Sequence, residues 1–401
     1  ADGVRRLRGW LEALYDDALP YFMDSDYDRI ADVAAGRDRA AALARLARLG
    51  AFGSLGRNVA KHVPDDDLAR LFSFQALYAG MHPRDARAVY GCIAHMDTGL
   101  GVHYPVGSAV GSGAGALPEL LAAGVRTAGG EIVLGAGIAG IDAPSGRVRA
   151  VVRDDGTRVA CDGVVATVDR HVVESWVPDR RGPRGAVDRA ARALRRWSPS
   201  AVVAHGAVPA EVAAQWPRRH HVISFGHAWD RTFDEICSPR RGRLMSDPSL
   251  LVTRPAVTCP DRIARGADGT DWEPVSVLAP APNLISAGIG WDAVADSYVA
   301  ELASILEARG FGGLPGSWRV GRIDHPGTWL ARGMGAGSPF GLAHLFRQTG
   351  PFRPRNLSPA LPEGVVAAGS TTVPGVGVPT VMLSGALAAS RFPSRGGVRG
   401  Q

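Results

Sequence analysis

The sequence predicts a mixed α/β (α+β) fold, on three observations. Apolar residues recur at helical spacing through the first eighty residues, and the period changes to two between residues 131 and 167. Near the C-terminus a short apolar run, Val365-Val366-Ala367-Ala368, stops at Gly369. A glycine–proline bend follows it, and then a segment free of charge as far as Arg391.

The helices come first. Leu7, Trp10, Leu11, Leu14 and Tyr15 mark a helix over 4–22 that ends near Pro20, and Leu43, Leu46 and Leu49 mark a second over 39–50. A third, over 65–79, opens with Pro64 and three aspartates, whose charge suits a helix N-terminus. A fourth covers 117–128 and closes at Gly129-Gly130. Strands follow over 131–141, 147–153, 158–161 and 163–167, turned by Pro144-Ser145-Gly146 and Asp155-Gly156. They form a β-meander whose last strand is buried. Residues 200–330 mix strands, proline-rich loops and a helix near 293–309. The stretch 364–385 reads as a buried strand, a loop whose glycines let backbone approach a ligand, and a helix whose first turn points at that ligand. Proline at the helix entry costs little, because that N–H has no partner within the helix.

Composition narrows the function. The chain has 401 residues, 46% of them hydrophobic and 21% charged, as in ordinary globular proteins. Its net charge is +6, almost all of it from arginine, since Lys61 is the one lysine. The arginines form no stripe interleaved with aromatics, which argues against nucleic acid, whereas a basic surface suits anionic lipid headgroups. Cys92, Cys161, Cys237 and Cys259 form no CxxC, and free thiols in a reducing compartment are expected. No residue pattern calls for a metal. Between Glu363 and Arg391 the chain is long enough for a membrane span of about 20 residues. Pro374, Pro379 and the internal glycines argue against one.

One perfect GxGxxG, Gly135 to Gly140, follows the apolar run 132–134. A dinucleotide-binding turn needs a helix next. Here Asp142-Ala143-Pro144-Ser145-Gly146 turns instead into another strand, so the motif is read as meander.

The 364–385 stretch resembles the C-terminal flavin signature of bacterial-type phytoene desaturases, a carotenoid oxidoreductase family with the amine-oxidase flavoprotein fold. Further blocks agree in order: the Tyr104-Pro105 segment, the Gly129-Gly130 meander through Asp169, and residues 198–206, 220–236, 246–258 and 335–356. The resemblance spans roughly residues 10–390. It implies a partial FAD/NAD(P)-binding flavoprotein fold with a substrate- and membrane-binding domain. In that reading 1–115 is the helical part of the substrate or membrane domain, and 116–170 is part of the FAD domain. Residues 171–340 bind substrate, 341–392 complete the FAD domain, and 393–401 form a disordered tail. The family's own GxGxxG lies in a segment of on the order of 100 residues upstream of the region matched here. The resemblance therefore implies half a flavin site in this chain, with doubtful FAD binding by the chain alone.

Carried onto this chain, the resemblance places Ile138, Gly369, Ser370, Gly377, Val378, Pro379 and Thr380 around FAD. It places Phe74, His103, Tyr104, Gln348, Phe352 and Arg353 toward substrate, and no catalytic residue is assigned. The activity implied is desaturation of a lipophilic polyene such as phytoene, with hydride passing to flavin N5. A quinone or O2 is the implied electron acceptor, and a cytoplasmic, peripheral membrane location is expected, the segment near 65–80 being the candidate patch. Isomerase, ketolase or saturase activity on related polyenes, or an inactive fragment lacking its FAD domain, stays open. The chain departs from the family at Thr258-Cys259, where the family has Thr-Asp, and at Val373-Pro374-Gly375, where it has His-Pro-Gly. Thr380 replaces a glycine, and Gly107-Ser108 replaces Gly-Gly.

Overall fold

The computed structural model describes residues 2–25, 27–107 and 111–392. Ser108 and the tail 393–401 lie outside the described residues. The chain divides into two compact units. One comprises 1–101, 135–198 and the chain from 340 onward, and the other 102–134 and 199–339. Along the sequence the units meet at 101, 134, 198 and 339, beside segments expected with breaks at 115, 170, 340 and 392.

In the first unit, the helix Asp2–Ala18 buries Leu7, Trp10, Leu11 and Leu14, the stripe its spacing predicts. That stripe packs with Leu46, Leu55, Val59, Ala94 and Ala343 in one core. Ala343 explains why the first hundred residues fold with the chain from 340 onward. Arg45 on the helix Arg37–Arg48 reaches Asp17 at 2.5 Å. The helix expected over 65–79 is shorter. Asp65 caps it by accepting from the Leu68 N–H at 2.9 Å, and it runs only from Asp66 to Leu71. Ser73 ends it by turning its hydroxyl back onto the Ala69 carbonyl at 2.6 Å, and a 3-10 turn Phe74–Leu77 follows. The helix Leu55–His62, capped by Ser54, was not legible in the pattern.

The meander forms from Ile138–Asp142, Ala150–Arg153 and Arg158–Ala160, paired antiparallel in that order. Ile138–Asp142 is a strand where a dinucleotide turn would need a helix, so the GxGxxG is structural here. Val164–Ala166 then pairs parallel with Val365–Ala367, joining segments 200 residues apart in sequence. Ile141, Val148, Ala166, Val173, Leu361, Val365 and Ala367 close one core around that pair.

The second unit carries a sheet with the strand order Arg319–Asp324, Ser200–Pro209, Asp271–Ala281, Leu250–Thr253 and His221–Ser224. Ala264–Arg265 pairs beside it on Asp271–Ala281. Residues 131–134, expected as a strand, belong to this unit and form none. Val133 and Leu134 are 58% and 87% exposed, and no strand among the described residues pairs with them. The helix Trp291–Ala308 buries Trp291, Tyr298, Val299, Leu302 and Leu306. Arg254 and Glu273, both buried, pair at 2.7 Å, and the guanidinium also donates to the Pro217 and Ala213 carbonyls. Breaking a buried pair leaves a charge without its partner. Glu273→Ala is expected to cost about 3–5 kcal/mol, read as a lowered denaturant midpoint of this unit's tryptophan fluorescence.

Candidate functional site

The buried strand Val365–Ala367 ends at Gly369, and the bend 369–377 leads into the helix Val378–Arg391. Two buried polar side chains fix the strand end. Asn356 donates to the Ala367 carbonyl at 2.9 Å and to Ser384 Oγ at 3.1 Å. Ser384 Oγ in turn accepts from the Gly369 N–H at 3.1 Å and lies 3.0 Å from Thr372 Oγ1. The helix is thereby bonded back to the strand that precedes it.

Arg353 holds the other side of the bend and is 2% exposed. Its guanidinium donates to the carbonyls of Thr372 at 2.9 Å, Ser370 at 2.5 Å, and Leu342 and Gln348 at 3.3 Å. Burial pushes its pKa down to about 10, against the pull of Tyr90 and Asp169. Gln348 also works on backbone, accepting from the Arg196 N–H at 2.7 Å and donating to the Arg196 and Ala343 carbonyls. Thr371 Oγ1 accepts from the Arg170 N–H at 2.8 Å.

Next to the bend, His344 packs edge-on to Tyr90 and shares a hydrogen bond of 2.7 Å between Nδ1 and the phenol, which also meets Thr349 Oγ1 at 2.7 Å. Gly375 lies against the ring, and a Cβ there would collide with Cε1 of His344. Gly375 also has φ +143°, so both space and backbone select glycine. Burial, with Arg353 nearby, holds the His344 imidazole well below its usual pKa, so the ring is neutral.

The helix start is open. Gly377, Val378 and Pro379 are exposed, while the opposite face buries Ser384 and Ala388. The first turn carries backbone N–H groups without partners in the helix and about half a positive charge. Thr380 does not add its hydroxyl to this face, because Oγ1 donates to the Val376 carbonyl at 2.6 Å. With no acidic residue from 364 to 390, nothing on this stretch repels an anion. Small residues, an open helix N-terminus and a charge-free bend fit the electron-rich ring of a flavin.

The other expected residues scatter. Ser370 is half-buried in the bend, and Ile138 opens the meander strand whose Ile141 packs with Val365 and Ala367. Gln348, Phe352 and Arg353 line a cavity of about 640 Å³. Phe352 is 41% exposed there, whereas the polar atoms of Gln348 and Arg353 serve backbone. Phe74 meets Tyr78 edge-on at 5.7 Å. His103 and Tyr104 belong to the second unit, where Tyr104 lies 4.5 Å from the His220 ring. Sequence reasoning missed His344, Tyr90 and Arg170. A lone histidine inside the apolar block 340–346 was the available signal for the first.

The chain matches the flavin-containing amine oxidoreductase family over residues 6–249. It is 42% identical over 395 residues to the phytoene dehydrogenase of Streptomyces griseus, covering 98% of this chain and 72% of that protein. It is 27% identical to the zeta-carotene-forming phytoene desaturase of Myxococcus xanthus, covering 94% of this chain and 68% of that one. Among solved structures, an oxidoreductase from Methanosarcina mazei aligns with a TM-score of 0.55 at 14% identity, over 87% of this chain and 72% of its own. Putrescine oxidase bound to putrescine aligns at 0.51 and 12% identity, over 97% and 75%. At those identities the two structures speak for the fold.

Two outcomes follow from this geometry. Arg353→Met removes the donors to the Ser370 and Thr372 carbonyls, so the Val373 amide, bonded to the Pro354 carbonyl at 3.0 Å, should exchange with solvent at least tenfold faster in hydrogen-exchange mass spectrometry. The second concerns pH. His344 stays neutral in the folded chain and takes a proton near pH 6.5 when unfolded, so its contribution is whole above that pH and is lost as pH falls below it. The slope approaches about 1.4 kcal/mol per pH unit for this one ring. His62, His171, His205, His220 and His221 shift the same way through burial, so the wild type minus His344→Gln difference in chemical denaturation isolates it.

Proposed function

The chain belongs to the flavin-containing amine oxidoreductases as a phytoene-desaturase-like flavoprotein, and we propose that the bend 369–377 and the start of the helix Val378–Arg391 form its flavin-ring face. The reaction is FAD-dependent desaturation of a carotenoid precursor, a lipophilic polyene of the phytoene type. The observation that carries this reading is the 42% identity to a phytoene dehydrogenase along nearly the whole chain.

FAD, when bound, supplies the acceptor for a hydride leaving an allylic C–H, while the neighbouring carbon loses a proton. The chain's own residues hold and orient. Gly369 and Ser370 at the strand end, and Gly377, Val378, Pro379 and Thr380 at the helix start, would lie around the ring, with Ile138 toward the adenine end. The unpaired N–H groups of the first turn favour negative charge on the ring set before them. Arg353 and Asn356 keep the bend in place by bonding its backbone. The neutral His344 packs behind Gly375 and sets how deeply the bend can fold.

A hydrocarbon offers no polar handle, so its binding rests on apolar contact, worth roughly 25 cal/mol per Å² buried. Such a substrate resides in a bilayer, and peripheral association with the cytoplasmic membrane face follows. No helix among the described residues is long and apolar enough to cross a membrane.

The test is anaerobic incubation of the FAD-loaded protein with phytoene in vesicles. A polyene lighter by H2 per turnover is expected, with either a quinone or O2 restoring turnover. An isomer of unchanged mass, or a ketone, would replace the desaturase reading with another. Val378→Asp separates fold from site: a carboxylate in the first helical turn stabilises the helix or leaves it unchanged. Facing an electron-rich ring, it should weaken FAD binding at least tenfold by fluorescence titration. Unchanged affinity would remove the helix start from the site.

A further inference from the structure

The cavity of about 640 Å³ in the first unit has a charge balance that a hydrocarbon does not require. Arg170, Arg192, Arg195, Arg347, Arg353 and Arg355 line it, against two carboxylates, Glu174 and Asp188. Both carboxylates are already neutralised. Glu174 bonds Arg170 at 2.9 Å and Arg195 at 2.6 Å, and Asp188 bonds Arg180 at 2.7 Å. Arg192 has Asp179 at 2.5 Å. The other three guanidinium groups hold only backbone carbonyls among the described residues. Arg347 donates to Leu194 at 2.8 Å, Arg355 donates to Asp28, and Arg353 donates to its four bend and loop carbonyls.

The mouth of the same cavity is apolar and open. Ile30, Val187, Leu194 and Phe352 line it at 51%, 67%, 63% and 41% exposure. Phe346, 53% exposed, extends the patch at 5.6 Å from Phe352. Uncompensated cations beside exposed hydrocarbon suit a molecule that is anionic at one end and apolar at the other.

We propose that this cavity seats the phosphate headgroup of an anionic lipid, with Arg347 and Arg355 around the phosphate and Val187, Leu194 and Phe352 against the acyl chains. The head supplies a counter-charge to these two guanidinium groups, and the apolar rim enters the boundary between headgroup and acyl region. This names the surface through which the enzyme proposed above would meet a bilayer. It does not need the flavin assignment, because its readout is lipid binding alone.

Sedimentation of the full chain with vesicles of neutral phosphatidylcholine, with and without 30% (about a third) phosphatidylglycerol, tests it. Binding is expected only to the anionic vesicles. Arg347→Glu/Arg355→Glu should weaken it by roughly 30-fold, and the milder Arg347→Gln by roughly fivefold. Leu194→Ser should weaken it while leaving every charge of the cavity lining unchanged. Arg240→Glu/Arg241→Glu makes the same change of charge on an exposed loop of the other unit and should leave binding within twofold (about the error of such assays). Unchanged thermal midpoints verify that the variants fold. Equal losses in the two arginine pairs would reduce the effect to the chain's net positive charge and overturn the proposal. So would wild-type binding by Arg347→Glu/Arg355→Glu, equal binding to neutral vesicles, or inorganic phosphate saturating the cavity without displacing the vesicles.

Discussion

A buried guanidinium hydrogen-bonded to no carboxylate organises the first unit. Arg353 lies beneath the glycine–proline bend, and its hydrogen bonds go to peptide carbonyls, with Tyr90 and Asp169 acting on its charge only through space. Such a group is stable only if every carbonyl stays aimed at it, because an unmatched buried charge is far more costly than a missing neutral hydrogen bond. The Ser370–Thr372 loop is therefore fixed relative to Leu342 and Gln348. Asn356 and Ser384 repeat the arrangement one layer away, tying the strand to the helix. The open helix start is rigid because everything behind it is bonded.

The two faces of this region differ in how much positive charge they carry. From 364 to 390 the chain carries no charge, which leaves the weak positive end of a helix as the dominant field. The cavity that Arg353 helps to line gathers six arginines, itself included, and two carboxylates. Full cations beside the helix start would swamp the field of its dipole.

The fold was legible where local pattern and tertiary role coincide. The stripe Leu7–Leu11–Leu14, the buried run before Gly369 and the charge-free helix after it appear as the periodicity predicts. The Gly135–Gly140 motif was correctly read through its context, since a proline-containing turn cannot continue as a helix. Pattern failed where a distant partner decides. Residues 131–134 have strand composition but no neighbour to pair with, and the 65–79 helix is cut by a single serine hydroxyl that competes for a carbonyl. The site was half legible. Gly369, Gly377 and Pro379 are visible because backbone geometry demands those residue types. The roles of Arg353 and Gln348 were not, because nothing in a sequence distinguishes an arginine aimed at a substrate from one aimed at four carbonyls. His344 reaches Tyr90 across 254 positions, a contact that no local pattern encodes.

The central claim is that the bend and the helix start face the flavin ring. Glycine-selective 15N labelling of the chain, followed by titration with FAD in an amide-detected NMR experiment, reads it most directly. The account predicts that the amide signals of Gly369, Gly375 and Gly377 move most, while those of Gly312 and Gly321 in the other unit move little. The largest shifts at glycines of the other unit, or none at the bend with FAD bound, would contradict it.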